Sequence, residues 1–154
     1  MMLNIVLYKP EIPPNTGNIS RLCVCIGATL HIVEKPAFDL SDKAVKRAGL
    51  DYWNELDFHY YPSWNDFKER IDQQRTFIVT KFGKRNYTDI QFKKFDFIIF
   101  GNETSGLPEK IHNQFLDDQK IRIPMKPISR SINLSNSVAI ISYEMLRQFG
   151  FNFF

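Results

Sequence analysis

The feature that most constrains this chain is a set of short, unbroken apolar runs: Ile5-Val6-Leu7, Phe77-Ile78-Val79 and Phe97-Ile98-Ile99-Phe100. A strand wetted on one face alternates apolar with polar residues, whereas a strand covered on both faces is apolar throughout. Helical patterns separate the runs, with Leu22, Cys25 and Ile26 on one and Leu134, Val138, Ile141, Met145 and Phe149 on another. Strands alternating with helices predict an α/β domain, a mostly parallel sheet flanked by helices. At 154 residues the chain reads as a single domain, residues 1–154, long enough to bury roughly 70% of its unfolded surface.

In chain order, a strand is expected over Leu3 to Tyr8. An extended loop containing Pro10, Pro13 and Pro14 follows, then a helix capped by Asn15 or Thr16 and stopped by Gly27. A second strand spans Thr29 to Val33. Ser41 caps a short basic helix to Ala48, ended by Gly49, and Phe58 to Tyr61 is a short strand. Ser63 caps a helix carrying Trp64, Phe67 and Ile71, and Thr76 to Thr80 is a strand. Phe82 to Lys94 reads as polar and irregular. A strand over Phe95 to Phe100 leads to a short helix from Pro108 to Asn113. The last strand is Gln119 to Ile123, and the terminal helix runs from Asn133 to about Phe149.

Parallel sheets bind ligands beyond the carboxyl ends of their strands. Three polar loops lie there: Asn15 to Arg21, Gly101 to Gly106, and Met125 to Asn133. The third follows Pro124 and contains Pro127, so its backbone extends neither a sheet nor a helix. Its carbonyls and the hydroxyls of Ser129 and Ser131 suit the edge of a flat neutral ligand such as adenine. It lacks the glycine-rich, amide-lined character of a phosphate cradle. An ordinary strand-to-helix turn would read the same way.

Several classes are disfavoured. No apolar run approaches the roughly 18 residues of a membrane span, and no basic-then-apolar leader is visible, so a cytoplasmic protein without membrane association is expected. Cys23 and Cys25 stand two apart on a helix and point in different directions, which suits buried thiols rather than a disulfide. His31, His59 and His112 show no ligand-like spacing, so no metal is expected. The net charge of +3 permits a nucleic-acid partner without requiring one.

Taken together, Asn15-Thr16-Gly17-Asn18-Ile19-Ser20-Arg21, Gly101-Asn102-Glu103-Thr104-Ser105-Gly106-Leu107, and Ile121 to Met125 with Ser131 to Asn136 resemble the three motifs of the SPOUT RNA methyltransferases. Arg47-Ala48-Gly49-Leu50-Asp51-Tyr52-Trp53 is similar to the small single-domain branch that 2′-O-methylates wobble nucleotide 34 of leucine tRNAs. The resemblance implies a deep C-terminal trefoil knot, a homodimer, S-adenosylmethionine as methyl donor with S-adenosylhomocysteine as product, and the tRNA anticodon stem-loop as partner. It implies that Val79, Thr80, Gly101, Ile123, Met125 and Ser131 hold the cofactor. Asn15, Arg21, Glu103 and Asn133 would carry catalysis, and Arg21, Arg130 and Tyr143 would touch RNA. Many relatives carry a basic residue where Ser105 stands, so no phosphate contact is assigned there.

Each role has a structural alternative. Arg21 either clamps the target phosphate through its fork or pairs on the surface with Glu11; a guanidinium stays protonated and makes a poor base. Glu103 either serves the site or caps the helix at Pro108. Asn133 either orients substrate or caps the last helix, and Ile123 either touches adenosine or packs the core. Phe149, Phe151, Phe153 and Phe154 either meet a second subunit or form a tail. Two other functions compete: a non-catalytic RNA-binding dimer retaining the fold, and a dinucleotide-dependent oxidoreductase. The first has no reason to retain Arg21, Glu103 and Asn133 together; the second lacks G-x-G-x-x-G after the first strand.

Overall fold

A computed structural model describes residues 3–40 and 53–151. The helix expected over Ser41 to Ala48, the motif segment 47–52, and Phe153 and Phe154 fall on residues outside the described ones. Strands β1 (Leu3–Tyr8), β2 (Ala28–Val33), β3 (Phe58–Tyr61), β4 (Thr76–Val79), β5 (Arg85–Asn86), β6 (Phe97–Phe100) and β7 (Lys120–Arg122) form one sheet in the order β3-β2-β1-β6-β4-β7-β5. Every pairing among them is parallel. Helices α1 (Pro13–Ile26), α2 (Trp64–Lys68), α3 (Glu109–His112) and α4 (Leu134–Gln148) cover it.

The apolar runs have the cause assigned to them. Alternate residues of one strand enter two cores. Ile5, Leu7, Ile98 and Phe100 pack under α1 and α4 with Ile19, Cys23, Val138, Ile141 and Met145. Val6, Tyr8, Ile78 and Ile99 pack on the opposite face with Trp64, Phe67, Ile111 and Phe115. Burying one such side chain contributes about 2 kcal/mol, so both faces favour strand over any alternative.

Several boundaries differ from expectation. Helix α1 begins at Pro13, inside the proline stretch, and neither Asn15 nor Thr16 caps it. Pro13 and Pro14 occupy the first helical turn, where a missing N–H leaves no bond unmade. Helix α2 stops at Lys68, and Ile71 packs against the core from beyond it. The stretch expected to be irregular contains β5 and a 3-10 turn at Tyr87–Asp89. Cys23 is buried but Cys25 is exposed, because residues two apart on a helix face different ways. His31 and His59 lie on adjacent strands with rings stacked 5.3 Å apart; their separation in sequence hides that pairing. Phe149 packs on the core, while Phe151 is exposed.

Candidate functional site

The carboxyl ends of β4, β6 and β7 open into a pocket of about 980 Å³, at the upper end of what small-molecule sites occupy. Each wall follows a strand. Val79 ends β4 and Thr80 follows it, its N–H donating to the Ile121 carbonyl at 2.9 Å and so tying the first residue beyond the strand to β7. Thr80 Oγ1 accepts the Phe82 N–H at 3.3 Å and lies 3.4 Å from His112 Nε2. Burial, and next the charge of Lys120, lower the pKa of His112.

After β6 the chain folds into a tight turn. Asn102 and Gly106 exchange backbone bonds at 3.3 and 3.1 Å. Asn102 Oδ1 accepts from the Ser105 N–H at 2.7 Å, the Ser105 hydroxyl at 2.9 Å and the Gly106 N–H at 3.1 Å. Ser105 is thus spent on the turn. A Cβ at Gly101 would stand 2.2 Å from the Gly106 carbonyl carbon, so only glycine lets the turn close. The third wall is the proline-bearing loop after β7, with Ile123, Met125, Arg130 and Ser131. Ile123 both lines the pocket and packs on the core.

A chain of hydrogen bonds joins the three loops. Glu103 Oε2 accepts the Glu11 N–H at 2.8 Å; Oε1 accepts the Ile12 N–H at 3.1 Å and Asn15 Nδ2 at 3.0 Å. Asn15 Oδ1 accepts from Asn133 Nδ2 at 3.0 Å. Asn133 Oδ1 caps α4, accepting the Ser135 and Asn136 N–H groups at 2.9 and 3.3 Å. The capping role considered for Glu103 is corrected. It does not serve the helix after Pro108; it accepts the Glu11 and Ile12 N–H groups immediately before α1, while the Ile12 carbonyl accepts the Asn15 and Thr16 N–H groups at 3.0 and 3.4 Å. An anion at that helix start is favoured, and Thr104 Oγ1 bonds to Glu11 beside it.

All six residues expected to hold the cofactor line this pocket, as do Asn15, Glu103, Asn133 and Arg130. Arg21 and Tyr143 do not; both are exposed, on α1 and α4. Arg21 sits about 9 Å along α1 from Asn15 by helical rise. Arg122 and Lys126, inside stretches named from the sequence but given no role there, also line the pocket, as does Phe82, which the sequence reading missed. Lys81, Arg122, Lys126 and Arg130 are cationic, and Glu103 is the lining carboxylate. No group of three metal-ligating side chains occurs among the described residues, and no described helix is long and apolar enough to cross a membrane.

The arrangement suits a flat, mostly neutral ligand against the loop carbonyls with an anionic second ligand above. The model of the SpoU rRNA methylase family matches residues 2–143. A tRNA (cytidine(34)-2′-O)-methyltransferase of Methylovorus glucosotrophus is 46% identical over 150 residues, 97% of each chain. A solved structure concerned with 2-OH methylation of C/U34 on tRNA superimposes with a TM-score of 0.89 at 37% identity, covering 97% of this chain and 91% of that one. The SpoU methyltransferase AviRb of Streptomyces viridochromogenes, solved with its cofactor AdoMet, gives a TM-score of 0.85 at 25% identity over 96% of this chain and 58% of that one.

Proposed function

The chain belongs to the SpoU rRNA methylase family, and on that premise we propose that it methylates the ribose 2′-oxygen of nucleotide 34, the wobble position, of tRNA. The observation that carries this reading is the hydrogen-bonded series Glu103–Asn15–Asn133 across the mouth of a pocket built from three strand ends. The substrate class is that of relatives matching nearly the whole chain.

The chemistry is an in-line displacement: the 2′-oxygen forms a bond to the methyl carbon as the carbon–sulfur bond breaks and the thioether departs. Bound S-adenosylmethionine supplies a methyl group already activated on a sulfonium. The protein's share is alignment and the electrostatic lowering of the hydroxyl's pKa by a bound cationic side chain, so that the hydroxyl proton passes to solvent water as the new bond forms; no metal is needed for this. Thr80, Ser131 and the backbone around Gly101, Ile123 and Met125 supply a neutral polar and apolar lining that fits an adenosine. Val79 walls its apolar side. Both oxygens of Glu103 accept donors of the protein itself, so Glu103 fixes Asn15 and the α1 start rather than taking the proton. The amides of Asn15 and Asn133 then present a fixed edge to the nucleotide. Arg130 lies at the same mouth and meets the RNA backbone.

Arg21 belongs to the same proposal as a two-pronged clamp on the phosphate of the target nucleotide. Because it lies outside the pocket of its own chain, the reading includes a homodimer in which a second copy brings Arg21 to the pocket. Tyr143, half-exposed on α4, adds an RNA contact. The finer assignments are leucine tRNAs, their anticodon stem-loop and the cytoplasm. Threading of the terminal segment into a trefoil knot belongs to the same proposal.

The test is methyl transfer from labelled cofactor to a leucine tRNA transcript and to the same transcript carrying a 2′-deoxynucleotide at position 34. Labelling of the first and not the second is expected. Equal labelling, or label on a base, overturns the assignment.

A further inference from the structure

We propose that Phe82 is a stacking platform for a base adjoining the methylated nucleotide, an inference that rests on the function proposed above. Phe82 is 73% exposed, yet it lines the pocket mouth. Leu116 and Ile128 are as bare or barer, as single apolar side chains on a surface often are; what distinguishes Phe82 is its place on the pocket. The backbone beneath the ring is held. The Phe82 N–H is held by Thr80 Oγ1 at 3.3 Å, and the Gly83 N–H by the Thr80 carbonyl at 3.1 Å. Gly83 itself lies so close to β7 that a Cβ there would stand 2.7 Å from the Lys120 carbonyl oxygen. The turn is therefore pinned to the sheet, and the backbone that carries the ring is fixed at the pocket.

The surroundings select the occupant. Lys81 Nζ lies 5.2 Å from the ring centroid, which covers one face with a cation and leaves the other for a partner. Arg122, Lys126 and Arg130 line the same mouth. A flat π-face beside a cluster of cations is how single-stranded nucleic acid is held: the base stacks and the backbone phosphates meet the charges. Ile12 is the other large exposed apolar side chain lining the pocket; having no π-face, it does not substitute. A wobble nucleotide stands in an unpaired loop, where its neighbours are accessible to such a ring.

The experiment measures tRNA methylation by wild type, Phe82→Ala, Phe82→Leu and Phe82→Trp, with S-adenosylhomocysteine affinity by calorimetry and molecular mass by sedimentation. Phe82→Ala and Phe82→Leu should raise the KM for tRNA roughly tenfold or more; Phe82→Trp should restore it, while cofactor affinity and mass stay at wild-type values. The Phe82→Ala penalty should vanish on a transcript abasic at position 33 or on one abasic at position 35. An unchanged KM, or a penalty equal on both abasic RNAs, overturns the inference. So does a loss confined to cofactor affinity, which would make the ring part of the cofactor site, or a change of mass, which would make it a subunit contact. A wild-type protein that leaves nucleotide 34 unmethylated sinks the proposed function and this inference together, whereas an unchanged KM sinks the inference alone.

Discussion

At the scale of single residues, the site depends on groups whose hydrogen-bonding capacity is spent on one another. Glu103 accepts two backbone N–H groups and the Asn15 amide. In Glu103→Gln the side-chain NH2 must face one of those donors. Such a mismatch costs about 1–3 kcal/mol. We expect a Tm several degrees lower and methylation at least tenfold slower; wild-type values of both would contradict the account. Arg21→Lys keeps the charge but loses the fork. Most methylation should vanish while S-adenosylhomocysteine binds as before, and near-normal turnover by that variant refutes the clamp. Far from the pocket, His31 is buried with Nε2 3.1 Å from Asn4 Oδ1 and Nδ1 3.3 Å from the Tyr61 hydroxyl. These partners suit a neutral ring that donates from Nε2 and accepts at Nδ1. Burial, and next the neighbouring His59, push its pKa down to about 4, against a weaker opposing pull from Asp57. The unfolded chain then takes up a proton near pH 6.5 while the folded one does not. Stability from His31 is therefore complete above about pH 6.5 and is lost as pH falls towards 4, to a total of about 3 kcal/mol. Denaturant unfolding of His31→Gln should show a correspondingly flatter profile over that interval.

At the scale of elements, the strands were readable because two-sided burial writes itself as apolar runs, and α4 because Asn133 and the stripe from Leu134 mark its start and face. The start of α1 was not. Pro13 and Pro14 look like loop residues in sequence. The acceptor for the N–H groups just before this helix is Glu103, about ninety positions away, and no local pattern announces it. Strand β5 was missed for a related reason: two residues, Arg85 and Asn86, carry no periodicity and are recruited by pairing with β7. The opposite end of the sheet holds a second long-range device. Arg75 Nε donates to Asp96 Oδ1 at 2.8 Å, Arg75 also meets Oδ2, and the Lys93 N–H donates to Oδ2 at 2.8 Å. Asp96 is 1% exposed, and breaking such a buried pair costs about 3 kcal/mol or more. Chemical denaturation of Asp96→Asn should register that loss with cofactor affinity intact, because the pair lies across the sheet from the pocket. A change in affinity without a change in stability would show that the two ends of the sheet are not independent.

At the scale of the molecule, the strand order brings three loops from distant parts of the sequence to one end of the sheet, where Asn15, Glu103 and Asn133 close on one another. The residue types in those loops were legible in sequence, and so was their position at strand ends. Their mutual bonds were not, because contacts of this kind depend on which strands are neighbours. Phe82 escaped notice for the same reason: a phenylalanine in a polar stretch says nothing until the pocket mouth is placed beside it. The central claim is that this meeting place seats a methyl donor. Calorimetric titration of S-adenosylhomocysteine, with NAD as control, into wild type and into Gly101→Ala checked for retained fold by circular dichroism tests it most directly. The account predicts micromolar binding of S-adenosylhomocysteine to wild type, none of NAD, and loss of binding in Gly101→Ala, whose added Cβ would collide with the Gly106 backbone. No heat from wild type, binding of NAD, or undiminished affinity in the folded variant would contradict it.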